Sequence, residues 1–170
     1  FRSNKKISDY TEIKQGMATS DNKRFLRYWT EVNITKIGFD MENLKEAKMS
    51  RKKWFPYNKG GNFRKWYGNN ELVVNWENDG EEMKEFTSKL PQGMNVRLKS
   101  REYYFKSGIT WSLFGFENFG VRIKDKGYIF DISGSSMFPD EKIRLYLLAF
   151  LASSVAFRSE ERRVGKECRS

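Results

Sequence analysis

The sequence predicts an α+β domain built on a mixed or antiparallel sheet with short flanking helices. Three observations carry this. Between residues 103 and 132, β-branched and aromatic runs are separated by Gly108, Gly115, Gly120 and Gly127, which reads as strands and turns. Residues 80–90 and 140–154 space their apolar side chains at three and four, the helical period. No internal repeat or low-complexity linker divides the 170 residues, a length that suits one domain with a sizeable core.

Residues 5–14 place Ile7, Tyr10 and Ile13 three apart and suit a short helix or a strand with a turn. Residues 16–22 are small and polar. They supply N-caps for a helix over 21–32 with Phe25, Leu26, Trp29 and Val32 inward. At the positive end of that helix, the turn suits either simple capping or the receipt of a phosphate or base edge. Residues 41–48 suit a short helix. Pro56 and the pair Gly60-Gly61 argue against a continuous helix through 52–69. Residues 71–76 read as a strand, 78–80 as a turn and cap, and 80–90 as a helix burying Met83, Phe86 and Leu90. Glu81 and Glu82 fall in its first turn, where the helix dipole favours acids, so their role is structural. Past a break at 91–93, strands are expected at 103–105, 109–114, 120–123 and 128–132, with 124–127 as the turn of a hairpin joining the last two. Residues 133–139 read as a loop. Asp140 opens a last helix with Ile143, Leu147, Leu148 and Leu151 inward.

The chain is basic, with Lys+Arg 32 against Asp+Glu 22 and a net charge of +10. Positions 48, 51, 52, 53, 59, 64 and 65 are all Lys or Arg, and no acid lies between Lys48 and Tyr67. Clustering of this kind points to a polyanion partner more strongly than a diffuse excess does. Histidine is absent, which excludes His-based triads and His-ligated metals. The single cysteine, Cys168, forms no internal disulfide or Cys-cluster site. The apolar run at 145–151 is too short to span a bilayer, and no signal peptide opens the chain. A cytoplasmic protein without a metal or membrane partner is expected. The chain opens at Phe1 rather than Met, so residues 1–157 are expected to be a fragment of a larger protein. Residues 158–170 resemble the translation of a sequencing-library adapter and are set aside as non-native.

Residues 52–69 interleave five cations with six aromatic rings around Gly60-Gly61 and contain no acid. Cations hold phosphates, rings stack on bases, and glycine lets backbone approach a ligand. Catalytic motifs are missing. Lys59-Gly60-Gly61-Asn62 lacks the strand, spacing and helix of a phosphate-cradling loop, and no GxGxxG occurs. Phe55-Pro56-Tyr57 lacks the polar first residue of an amino-methyltransferase loop, and Ser133 to Ser136 have no base partner. The fragment itself is expected to bind no cofactor.

Gln15-Gly16-Met17-Ala18-Thr19-Ser20-Asp21-Asn22-Lys23-Arg24-Phe25-Leu26-Arg27-Tyr28-Trp29 resembles a signature of the adenine-specific DNA methyltransferases of BREX phage-defence systems, PglX type. Residues 53–61, 64–70 and 74–80 resemble the next blocks, and 108–112 and 134–139 later ones, so the likeness runs in order over roughly 10–156. A more distant likeness joins this turn to type IIG restriction–modification enzymes. Glycine is common there at the place of Ser20, which raises the question of whether the turn keeps a positive φ. In such enzymes the catalytic domain lies N-terminal to this region and holds S-adenosylmethionine and an Asn-Pro-Pro-Tyr loop. The resemblance therefore implies that this fragment is target-recognition-domain-like, and that its parent methylates adenine N6 on a flipped base of duplex DNA. On that reading Thr19, Asn22 and Arg24 belong to the DNA-binding set. Lys52, Lys53, Lys59, Arg64 and Lys65 position phosphates, and Trp54, Tyr57, Trp66 or Tyr67 stack or pack. Arg64 is the candidate for a base-edge contact. The alternative is a protein-interaction module of a phage-defence complex. Single-stranded RNA is a third option, without a recognisable RNA-binding motif behind it.

Overall fold

The computed structural model describes residues 6–112 and 119–156. In chain order its elements are β1 (Ile13–Lys14), α1 (Asn22–Phe25), β2 (Leu26–Tyr28), α2 (Leu44–Met49), β3 (Trp54–Asn58), β4 (Leu72–Asn75), α3 (Glu77–Ser88), α4 (Gly93–Arg97), β5 (Gly108–Trp111), β6 (Val121–Lys124), β7 (Ile129–Phe130), β8 (Ser136–Met137) and α5 (Glu141–Leu151). The strands form two four-stranded sheets, so the α+β expectation holds. One sheet, in the order β1-β8-β5-β6, is antiparallel throughout. The other, β2-β4-β3-β7, is mixed, because β7 lies parallel to β3.

Each sheet has its own apolar cluster. Phe55 and Tyr57 of β3 and Val74 of β4 pack with Phe25, Trp76, Met83, Tyr104, Phe105 and Phe130. Ile109, Val121 and Met137 of the antiparallel sheet pack with Leu148 and Leu151 of α5. Of the four residues its period selects, Leu148 and Leu151 are buried, while Ile143 and Leu147 stay half-buried. In α3, Asn78, Asp79 and Gly80 have left-handed backbone angles, so the regular helix starts at Glu81 and buries Met83. The turn expected at 78–80 is these three residues.

Several expectations are corrected. The helix expected over 21–32 stops at Phe25. Leu26, Arg27 and Tyr28 pair instead with Val74, Val73 and Leu72 of β4. A single helical turn has little intrinsic stability, and a waiting strand edge offers the backbone a better set of partners. Phe25 and Leu26 are buried as expected, but Trp29 stays 45% exposed. Residues 124–127 do not close a hairpin, because β6 and β7 belong to different sheets. Residues 103–105 are no strand either. Arg101–Tyr103 is a 3-10 turn that feeds Tyr104 and Phe105 into the core. The short strand β8 runs through the segment read as a loop, and α4 was not anticipated. Residues 113 and 114 of an expected strand, and the adapter-like segment with Cys168, lie outside the described residues. Among the described residues no helix is long and apolar enough to cross a membrane, and no group of three metal-ligating side chains occurs.

Candidate nucleic-acid interface

The basic–aromatic stretch is continuous in sequence and divided in space. Its middle is β3, where Phe55, Pro56, Tyr57 and Asn58 are buried. At about 3.3 Å per residue, the six steps from Lys53 to Lys59 put the two cations about 20 Å apart. The stretch thus contributes to opposite ends of the mixed sheet.

At the first end the cations are compensated. Arg24 meets Glu82 through both Nε, at 2.8 Å, and Nη2, at 2.7 Å. Glu82 also accepts from Asn75 Nδ2 at 2.9 Å. Lys53 Nζ lies 3.5 Å from Glu77, and Lys52 Nζ donates to the Thr35 carbonyl at 2.6 Å. Trp54 is flanked by the charges of Arg27 and Lys53, 5.9 and 6.0 Å from its ring. The nearby turn is a cap. Asp21 accepts the Arg24 N–H at 3.0 Å, and buried Thr19 donates its hydroxyl to Asn22 Oδ1 at 2.5 Å. An incoming phosphate would meet an acid there, and α1 is a single turn, so capping accounts for these residues. Ser20 nonetheless takes φ 61°, so the turn keeps its positive φ without glycine.

Tyr57 is inside the core. Its hydroxyl donates to Asp131 Oδ2 at 2.5 Å, and burial followed by the Asp131 charge raises its pKa well above the usual phenol value. In this fold the ring has no surface to offer a base, and packing accounts for it.

The second end is the β3–β4 connection, residues 59–71. It leaves the mixed sheet and crosses to the edge strand of the other one. Gly60 sits so close to the Ser133 backbone that a Cβ would come within 2.3 Å of its oxygen. Trp66, at φ 71°, donates its N–H to Val121 O and accepts from Ile123 N, each at 2.9 Å, along β6. Lys65 Nζ donates at 3.1 Å to the Ala152 carbonyl, at the negative end of α5. Asn58 Nδ2 donates to Asn70 Oδ1 at 3.1 Å and pins the return to β4. From this anchored backbone Phe63, Trp66 and Tyr67 project with 47%, 52% and 57% of their surface exposed. Lys59 and Arg64 have no hydrogen-bonding or ion-pair partner for their charges among the described residues. Of the positions picked from sequence, the fold brings Lys59, Arg64, Lys65 and Trp66 together here, and Arg24, Lys52, Lys53 and Trp54 together at the other end.

One feature had no sequence signal. Phe55 and Tyr57 face the core, so Pro56 and its partner Val73 lie on the outer face of the mixed sheet. Over them Trp29, Phe39, Tyr67 and Tyr128 wall a cleft of about 420 Å³, with Asn70 and Glu71 among its lining. Partial burial pushes the Tyr128 phenol up to about 12. These rings come from separate segments, so no local pattern could have grouped them.

No family model matches the chain. It is 37% identical over 150 residues to the adenine-specific methyltransferase PglX of Lacticaseibacillus casei (strain Zhang), covering 88% of this chain and 12% of that protein. It is 36% identical over 128 residues to the adenine-specific methyltransferase BrxX of Escherichia coli O9:H4 (strain HS), covering 75% of this chain and 9% of that protein. The chain thus spans about a tenth of the length of the curated relatives it matches.

Proposed function

We propose that this chain, which is related to the PglX-type adenine-specific methyltransferases of BREX systems, is a part of such an enzyme that holds duplex DNA while chemistry takes place elsewhere in the protein. The parent would transfer a methyl group from S-adenosylmethionine to adenine N6, in the cytoplasm, as part of phage defence. The observation that carries the reading is the 59–71 connection. It offers Lys59 and Arg64, whose charges have no partner among the described residues, beside the exposed rings of Phe63 and Trp66, on a backbone tied to both sheets. Cations that lack a protein acceptor are the ones free to exchange counterions for phosphates.

The test is titration of a labelled duplex at increasing salt. Affinity should fall steeply, and the double substitution Lys59→Glu/Arg64→Glu should weaken binding about tenfold or more and reduce the log–log slope by roughly two. A binding constant that hardly moves between low and moderate salt would argue against the proposal. A second reading, a protein-interaction module, is favoured by α5. Its outer face exposes Leu145, Tyr146 and Phe150, at 67%, 80% and 48%. If this reading is right, Tyr146→Asp loses a partner protein while duplex affinity is unchanged, and the Lys59/Arg64 reversal leaves DNA binding intact.

A further inference from the structure

The geometry points to the cleft on the outer face of the mixed sheet as a pocket for a single unstacked nucleobase. This inference rests on the duplex-DNA reading above and extends it to a site with its own residues. Trp29 and Phe39 come from the segment after β2, Tyr67 from the basic connection, and Tyr128 from the approach to β7. Pro56 and Val73, opposite one another in register, give an apolar floor. A cleft lined by four aromatic rings over an apolar floor suits a planar ring of any identity, because every base has a π-face. Its volume of about 420 Å³ lies within the range of roughly 300–1,000 Å³ common for small-ligand pockets.

The polar groups are placed for a base edge. Asn70 spends its amide oxygen on Asn58 Nδ2, which leaves its own NH₂ as the group available to donate. Glu71, beside it in the lining, supplies an acceptor. Every nucleobase carries an acceptor next to an N–H donor, and this pair matches that arrangement. The lip carries the charge a phosphate needs. Gly68 lines the cleft, and a Cβ there would meet the Arg64 side-chain stem at 3.2 Å, so Arg64, whose charge has no partner among the described residues, leaves the chain beside the opening. Aromatic walls with a carboxylate could instead cage a quaternary ammonium group. The acid-free basic run from Lys48 to Tyr67, with Arg64 at the opening, disfavours a cation and favours a base on a phosphodiester chain.

The experiment compares three duplexes of one sequence with the full chain. They are fully paired, with a single-nucleotide adenine bulge, and with an abasic residue in the same bulge. The adenine bulge should bind roughly tenfold tighter than the other two. Trp29→Leu and Phe39→Leu keep apolar bulk, lose a ring, and change residues that are half exposed. Each should erase the preference while leaving affinity for the paired duplex as it was, which also reports that the variant is folded. Equal affinity for the adenine and abasic bulges would show that backbone flexibility is read rather than a base, and would overturn the inference. So would saturable quenching of tryptophan fluorescence by tetramethylammonium without any bulge preference. If the unaltered chain binds none of the duplexes, the duplex-DNA reading itself fails; paired binding without a bulge preference sinks only the pocket.

Discussion

Tyr57 and Lys124 show how much a residue's meaning depends on where the chain puts it. Both were drawn from polar or basic segments, and both are buried. The Tyr57 hydroxyl supplies a donor to Asp131, which also accepts the Ser133 N–H at 2.7 Å. Tyr57→Phe removes that donor inside the core and should cost about 1–3 kcal/mol in urea denaturation. Affinity for DNA per folded molecule should not change; a variant that kept its stability and lost DNA would make the ring a contact after all. Lys124 points inward at the passage between the sheets, donates to the Lys106 carbonyl, and lies against the rings of Phe130 and Phe138. Burial pushes its pKa down to about 7, against a smaller opposing pull from Asp125. An unfolded lysine titrates near 10.4. Between those values the unfolded chain binds the extra proton, so stability rises from about pH 7 towards about pH 10, by at most about 1.4 kcal/mol per pH unit. Below pH 7 both states are protonated and this contribution to the slope vanishes. Lys124→Met should flatten the rise in denaturation curves taken across that window.

At the scale of elements, the β3–β4 connection matters most. A long connection between antiparallel neighbours needs anchors of its own, and this one has them at Gly60, Trp66 and Asn70. The adjacent glycines separate anchoring from mere flexibility. A Cβ on Gly60 would strike the Ser133 backbone at 2.3 Å, whereas the nearest atoms to one on Gly61 are those of the Asn69 side chain, at 3.3 Å. Gly60→Ala should therefore cost about 1–3 kcal/mol in thermal or chemical unfolding and weaken duplex binding by displacing the loop. Gly61→Ala should do neither to a comparable degree. Equal effects would mean that the connection does not dock through Gly60.

At the scale of the molecule, the basic window is two surfaces. At one end Lys53 pairs with Glu77, Lys52 donates to the Thr35 carbonyl, and Arg24 and Glu82 pair beside them, while Lys59 and Arg64 have no such partner among the described residues. Exposed ion pairs are weak, so the first end still carries charge, but its cations must leave partners to meet phosphate. Lys52→Glu/Lys53→Glu should weaken duplex binding only a few fold, against about tenfold or more for Lys59→Glu/Arg64→Glu. Equal losses in a filter-binding or anisotropy assay would restore the picture of one continuous patch.

The sequence by itself determined the elements whose signal is local. The period of α5 and of the regular part of α3, the strand runs of β4 and β6, and the positive cluster with no acid are all readable without neighbours, because each depends on spacing or composition alone. It also carried the likeness to the PglX-type enzymes, which the curated relatives bear out. Only the tertiary structure decided that residues 26–28 become a strand, that 124–127 pass between sheets, that Tyr57 belongs to the core, and that four distant rings share a cleft. In each case the deciding partner is far along the chain. Strand pairing and burial are set by groups that meet only after the chain has folded.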